Sequence, residues 1–288
     1  MNESTALKLY GIIGHPIGHS LSPLMHNTAF EAFGMSASMS AFDIEPQSLK
    51  EALEGFVKLE FGGINVTIPH KETIIRLLDE VDEEASIIGA VNTVRILDGK
   101  TTGFNTDAYG FLKTLEPFRS SVDGAKFVIL GAGGAARAVT YVLLRHFRTN
   151  QIVIASRPIS RTNELIEHFK GSSHAKLTAF DPTDAQFSQI LQASDVVINA
   201  TPAGMLPKIS ELPIPHPHFR AGQIVVDLIY RPLQTEFLHQ ASEAGTQTIG
   251  GVEMFIHQGA RAFEIWTGKS MNTNQVRQII IQKLRESN

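Results

Sequence analysis

Lys126-Phe-Val-Ile-Leu130 followed by Gly131-Ala-Gly-Gly-Ala-Ala136 is the stretch that decides how this 288-residue chain is built. A short apolar run ending in glycine reads as a buried strand. The glycines fit G-x-G-x-x-G/A, with Ala136 in the last place, between that strand and a helical pattern. In this setting Gly131 makes the tight turn, Gly133 lets backbone approach a pyrophosphate, and Ala136 allows close helix–strand packing. The uncapped N–H groups and the positive dipole end of the helix then face the phosphates. A small-residue turn that only packs a helix on a sheet is the plainer alternative, and the strand and helix on either side favour the dinucleotide.

Further strands are predicted at Gln151–Ala155, Lys176–Phe180, Val196–Asn199, Ile224–Asp227 and Thr246–Ile249, with helical stretches in most gaps. This βα series makes a parallel Rossmann sheet. NAD sites usually carry an acid at the end of the second strand, on the ribose 2′-OH. Here that strand ends in Ser156-Arg157-Pro158, with Arg161 one turn further on. Guanidinium groups pair with a 2′-phosphate, which a carboxylate would repel, so NADP(H) is preferred to NAD. Two solvated surface arginines are the alternative.

Before the glycine loop the pattern is again α/β. Strands are expected at Lys8–Gly14, Met39–Ile44 and Gly63–Val66, and helices at Pro23–Phe33 and Gln47–Leu59. This order predicts a mainly parallel sheet. Asn92–Leu97 and Lys100–Asn105 flank Asp98-Gly99, a dipeptide suited to a hairpin turn with positive φ at both positions. A helix from Asp107 to Leu115 follows. Two closing helices, Met254–Trp266 and Thr273–Arg285, have no strand between them. Composition alone places a boundary at the polar stretch Arg119–Gly124.

Composition bounds the function. Hydrophobic residues make up 43% and charged residues 19%, as in ordinary globular proteins. At about 150 residues per domain, the length suggests two domains. With 25 Lys and Arg against 29 Asp and Glu, the net charge is −4, which lacks the basic footprint of a nucleic-acid binder. The absence of cysteine excludes disulfides, cysteine-ligated metals and thiol nucleophiles. No apolar run approaches a membrane span, and Glu3 with no basic or long apolar stretch argues against a signal peptide. A soluble cytoplasmic protein is expected.

Three polar clusters sit where strands of the N-terminal region end: His19-Ser-Leu-Ser-Pro23, Asn65-Val-Thr-Ile-Pro-His-Lys71 and Asn105-Thr-Asp107. Parallel α/β sheets bind ligands beyond such ends. Ser20, Ser22, Thr67 and Asn92 suit a polyhydroxylated or carboxylate ligand. Lys71 can donate or accept a proton, and Asp107 can orient it. Each also has a structural reading. Ser22 before Pro23 makes a good N-cap, Asp107 could cap its own helix, and Lys71 could be a solvated lysine. His15, His19, His26 and His70 raise the possibility of a metal-dependent hydrolase. His15 and His19 flank Pro16 and Gly18 in a loop, without the helical spacing of a metal pair, so no metal is expected.

Eight blocks, in order, resemble shikimate dehydrogenase. They are Gly14-His-Pro-Ile-Gly-His-Ser-Leu-Ser-Pro-Leu-Met-His-Asn27, Asn65–Lys71, Gly89-Ala-Val-Asn-Thr93, Gly103-Phe-Asn-Thr-Asp107, Gly131–Ala136, Asn199-Ala-Thr-Pro-Ala-Gly-Met205, Asp227-Leu-Ile-Tyr230, and Gly250-Gly-Val-Glu-Met254 with Gln258-Gly259. The resemblance implies an enzyme of aromatic amino acid (chorismate) biosynthesis that interconverts 3-dehydroshikimate and shikimate with NADP(H). It implies a Rossmann domain over 108–251, inserted into a substrate domain of 1–107 and 252–288. The chain crosses near Asp107 and returns near Gly251, which predicts a substrate cleft with a hinge. A homodimer is compatible with the family, and no nucleic acid or membrane partner is implied. Lys71 corresponds to the proton-transfer residue and Asp107 to its partner. Substrate positions fall on Ser20, Ser22, Thr67, Asn92, Asp107, Tyr230 and Gln258. Cofactor positions fall on Glu83, Gly131, Ala132, Gly133, Gly134, Ala135, Ser156, Arg157, Arg161, Leu228 and Gly251. Many relatives read Asn-Arg-Thr where this chain has Ser156-Arg157-Pro158, but both basic positions remain.

In the closing helix, Phe255, Gly259, Ala262, Phe263 and Trp266 form a packing stripe, and Gln258 lies on the neighbouring face with Met254 and Arg261. Two other functions stay open. A quinate/shikimate dehydrogenase would tolerate an extra hydroxyl or use NAD, though such relatives often carry an acid where Arg157 stands. A non-catalytic NADP(H) sensor has no need of both Lys71 and Asp107.

Overall fold

A computed structural model describes residues 7–171, 175–215 and 217–286; the reading at Glu3 lies outside them. In chain order the elements are β1 (Lys8–Gly14), α1 (Ser22–Ala32), β2 (Ala37–Asp43), α2 (Leu49–Lys58), β3 (Gly63–Val66), β4 (Glu80–Val81), α3 (Glu83–Ile88), β5 (Thr93–Leu97), β6 (Lys100–Phe104) and α4 (Thr106–Leu115). Then come α5 (Arg119–Val122), β7 (Lys126–Leu130), α6 (Gly134–His146), β8 (Gln151–Ala155), α7 (Ile159–His168), β9 (Lys176–Phe180), α8 (Phe187–Ala193), β10 (Val196–Asn199), β11 (Ile224–Asp227), α9 (Glu236–Glu243), β12 (Gln247–Ile249), α10 (Val252–Thr267) and α11 (Thr273–Arg285).

These elements form two units. One runs to Gly110 and resumes over Ile256–Lys283; the other is Phe111–Phe255 with residues from Leu284. The divisions lie a few residues beyond 107 and 251 because α4 and α10 continue through them.

The first unit holds a six-stranded sheet in the order β2-β1-β3-β5-β6-β4. β1 pairs in parallel with β2 and β3, whereas β5 is antiparallel to both its neighbours. Five strands therefore run one way and β5 alone is reversed. Asp98 (φ 51°) and Gly99 (φ 76°) make the β5–β6 turn, both in the left-handed region as their residue types predicted. Apolar side chains on one face, among them Ile13, Ile64, Val66 and Val94, close a core with Leu49, Leu53 and Phe56 of α2. Phe263 on α10 packs among His26 and Phe30, and Trp266 donates its indole N–H to the Val94 carbonyl at 3.0 Å. The stripe expected on α10 is thus largely internal.

β4 and α3 are additions to the sequence reading, being too short for a periodic signal. α3 is closed at both ends: the Asp82 carboxylate accepts the Glu84 N–H, and Gly89 ends it at φ 71°.

The second unit is a wholly parallel sheet in the order β12-β11-β10-β7-β8-β9. Numbered within the unit this is the doubly wound 3-2-1-4-5-6 order, whose switch point lies between β7 and β10. Central strands β7, β10 and β11 are buried on both faces, as parallel strands covered by helices must be.

Candidate active site

In the first unit the functional side chains gather at one edge of the sheet. β1, β3 and β6 end there, and the reversed β5 begins there, so Asn92 and Thr93 meet residues from strand ends. Backbone bonds fix the arrangement. Thr67 N–H donates to the Ile13 carbonyl at 2.9 Å, Val91 N–H to that of Lys71 at 2.8 Å, and Asn92 N–H to that of Phe104 at 3.1 Å. Gly14 is required at the end of β1, because a Cβ there would lie 2.5 Å from the Thr67 methyl.

Lys71 Nζ then stands 2.6 Å from Asp107 Oδ2, with the two side chains only 14% and 7% exposed. The other Asp107 oxygen, Oδ1, accepts a bond from Asn92 Nδ2 at 2.9 Å. The orientation of the Asn92 amide is itself determined: its Oδ1 accepts the Thr106 N–H at 2.7 Å and the Thr93 hydroxyl at 3.2 Å. A flipped amide would set oxygen against the carboxylate. Gln258 Oε1 lies 3.5 Å from Asn92 Nδ2, at the limit of a hydrogen bond. Thr93 and Thr106, both buried, therefore orient Asn92, a part the sequence reading did not give them although each sits in a quoted motif.

Two capping assignments are corrected. Ser22 does not cap α1: Leu21 is the cap residue, and the Ser20 hydroxyl oxygen accepts the Ser22 N–H at 3.2 Å. Asp107 does not cap α4: the Asn105 side-chain oxygen accepts the Ala108 N–H at 3.1 Å, which leaves the carboxylate for Lys71. Ser22 is buried, and Ser20 and Thr67 are half-buried.

The histidines disperse. His70 is buried and its Nε2–H donates to the Ile44 carbonyl at 2.7 Å, so its ring is anchored away from Asp107. His15 pairs with Asp43 at 2.7 Å. His26 is packed among Phe30, Phe263 and Trp266, where burial pushes its pKa down to about 3, with the Asn65 amide opposing. Among the described residues no group of three or more acidic or histidine side chains could hold a metal.

The second unit builds a phosphate cradle. Gly131 has φ 110°, which excludes other residues, and a Cβ there would lie 3.0 Å from the Ala200 carbonyl oxygen. Gly133 precedes α6 with no side-chain cap, and open space lies where its Cβ would be. The first N–H groups of a thirteen-residue helix are therefore free for an anion, and Ala136 is fully buried against the sheet. These residues fit a dinucleotide. Beyond β8, the Ser156 hydroxyl bonds that of Thr162 at 2.7 Å, while Arg157 and Arg161 are exposed. Asp181, after β9, is held below the usual carboxylate range by Thr183, with the charge of Arg157 adding to the effect. Gly251 lies against Leu228, where a Cβ would come 2.2 Å from its carbonyl oxygen. The Tyr230 ring stacks on Phe255 at 4.1 Å. Glu83 opens α3 in the first unit and is exposed.

Comparison with known proteins identifies the family. The model of the shikimate dehydrogenase substrate binding domain matches residues 12–94, and that of the shikimate 5′-dehydrogenase C-terminal domain matches 251–281. Between them, the saccharopine dehydrogenase NADP binding domain matches 127–214. The chain is 43% identical over 277 residues to a shikimate dehydrogenase (NADP(+)) of Methanopyrus kandleri, covering 96% of this chain and 95% of the relative. A crystal structure of shikimate dehydrogenase in complex with NADP+ superposes with a TM-score of 0.83 at 41% identity, covering 96% of each chain. A quinate dehydrogenase from Corynebacterium glutamicum in complex with NAD matches at TM-score 0.83 and 32% identity, over 96% of this chain and 98% of that one. With two family models at its ends and full-length relatives above 40% identity, the chain belongs to the shikimate dehydrogenase family.

Proposed function

We propose that this chain catalyses the reversible NADPH-dependent reduction of 3-dehydroshikimate to shikimate. The observation that carries the reading is the Lys71–Asp107 pair, nearly buried, with both Asp107 oxygens held by named donors. Reducing a ketone needs hydride on carbon and a proton on oxygen, and the nicotinamide supplies only the hydride. Lys71 as ammonium donates the proton to the forming alkoxide, and as amine takes it back in the other direction. Asp107 holds the Lys71 nitrogen in one position and keeps a negative charge beside it. Ser20, Ser22, Thr67, Asn92, Tyr230 and Gln258 orient the substrate hydroxyls and carboxylate. A pure binding protein has no use for such a pair.

The residues from Gly131 to Ala135 hold the pyrophosphate through free helix N–H groups, Leu228 and Gly251 line the same site, and Arg157 and Arg161, after Ser156, recognise the 2′-phosphate. Glu83 belongs to the proposed cofactor set on family position alone. The domain limits of the reading are 1–107 with 252–288 for substrate, and 108–251 for NADP(H). A cytoplasmic location and a homodimer complete it, to be checked by cell fractionation and by sedimentation of the pure protein. Among the described residues no helix is long and apolar enough to cross a membrane.

Initial rates with shikimate and with quinate, each paired with NADP and NAD, test the function. Shikimate with NADP should give the highest kcat/KM. A higher value for quinate with NAD would replace this reading by the quinate one.

A further inference from the structure

The second unit contains a buried carboxylate that the chemistry above does not use. Asp227 ends β11 with no exposed surface, and burial pushes its pKa up to about 6, against the pull of its hydrogen bonds. Its three donors among the described residues are neutral. Oδ1 accepts from Asn199 Nδ2 and from the Ile229 N–H, each at 3.0 Å, and Oδ2 accepts from the Thr235 hydroxyl at 2.7 Å. Among the described residues these donors bring no positive charge to offset the desolvation, so an apolar residue would be cheaper if packing were the whole purpose.

The three donors lead to three segments. Ile229 lies in the turn after β11, where its carbonyl accepts the Gly251 N–H at 3.1 Å, and the neighbouring Leu228 carbonyl packs on Gly251. Asn199 accepts the Thr201 N–H and hydroxyl at 3.0 and 2.7 Å, shaping a loop whose Ala200 carbonyl and Thr201 methyl press on Gly131. Thr235 caps α9 by accepting the Leu238 N–H. One carboxylate therefore ties the ends of β10 and β11 to α9, and through them reaches both Gly131 and Gly251. A carboxylate accepts from all three at once, whereas an amide would set its NH₂ against the Asn199 and Ile229 N–H donors or oblige the Thr235 hydroxyl to accept instead of donate.

We propose that Asp227 is a positioning residue for cofactor binding, holding the Leu228–Tyr230 turn and the Asn199–Thr201 loop in the arrangement the dinucleotide requires. This rests on the assignment of Gly131, Leu228 and Gly251 to NADP(H) made above. The test uses the full-length protein with Asp227→Asn, Thr235→Val and Thr235→Ser, and measures the NADPH dissociation constant by fluorescence titration, steady-state kinetics and thermal melting. Asp227→Asn and Thr235→Val should each weaken NADPH about tenfold or more, the scale of a lost hydrogen bond to a charged group, while kcat with both substrates saturating stays within about threefold. Thr235→Ser should bind within about threefold of wild type. If Asp227→Asn does not fold, the threonine pair carries the test. Folded Asp227→Asn and Thr235→Val proteins binding NADPH as tightly as wild type would overturn the inference alone, as would Thr235→Ser as weak as Thr235→Val, or kcat falling with affinity unchanged. A wild type that binds no NADPH would overturn the cofactor reading as well.

Discussion

Replacing Lys71 separates the proposed proton transfer from the charge pairing with Asp107. Its Nζ is 2.6 Å from Asp107 Oδ2, and the side chains are 14% and 7% exposed. Lys71→Ala leaves Asp107 with Asn92 as its side-chain donor at 2.9 Å, an almost buried carboxylate without its cation. Removing one partner of a fully buried pair costs roughly 3–5 kcal/mol, and the residual solvent contact here lowers that to about 2–3 kcal/mol of stability. General acid–base help contributes about 10²–10⁴ in rate, or ~2.7–5.4 kcal/mol of barrier, and kcat should fall by that factor. The KM for shikimate should change much less, because the serines, Asn92, Tyr230 and Gln258 remain. Lys71→Arg divides the effects. A guanidinium keeps positive charge beside Asp107, so stability should return to within about 1 kcal/mol of wild type, but it cannot release its proton, so kcat should stay low. Steady-state rates of NADPH absorbance loss and urea unfolding of the three proteins supply the measurements. A Lys71→Arg enzyme with normal kcat would refute the proton-transfer role. So would a Lys71→Ala enzyme with near-normal kcat, or a His70→Ala enzyme that loses more.

Other predictions concern the cofactor loop, a backbone contact and pH. Alanine at both Arg157 and Arg161 should raise the KM for NADP by about tenfold or more and barely change that for NAD; equal effects would count against their 2′-phosphate role. Gly251→Ala would place a Cβ 2.2 Å from the Leu228 carbonyl oxygen, a backbone atom that cannot rotate away, so NADP affinity and the melting temperature should both drop, and an unchanged melt would show that the turn yields. His26 titrates near 3 in the folded protein against about 6.5 unfolded, so the unfolded chain binds the proton first. Its contribution is complete above pH 6.5 and is lost as pH falls toward 3, by up to about 4–5 kcal/mol at ~1.4 kcal/mol per unit. His26→Phe, which keeps the ring among its aromatic neighbours, should flatten that acid limb in unfolding curves taken from pH 7 to 4; an unchanged slope would assign the acid sensitivity elsewhere.

The amino-acid sequence by itself determined whatever depends on near neighbours. Apolar runs set the strands, Gly131 met a left-handed turn only glycine tolerates, and Asp98-Gly99 closed a hairpin in the conformation those two residues favour. Motif residues were placed at strand ends because a strand's limits are local properties. Tertiary structure decided what depends on which distant groups meet. The reversal of β5 is invisible in its own five residues, yet it brings Asn92 and Thr93 to the edge where Lys71 and Asp107, thirty-six residues apart, pair. Adjacent His70 and Lys71 are both titratable, and only packing sends one ring to the Ile44 carbonyl and the other side chain to Asp107. Asp227 read as the polar end of a strand, and its three bonds became visible only with Asn199 and Thr235 folded around it. Side-chain direction and burial set the chemistry of such groups, and both are properties of the assembled core rather than of the local chain.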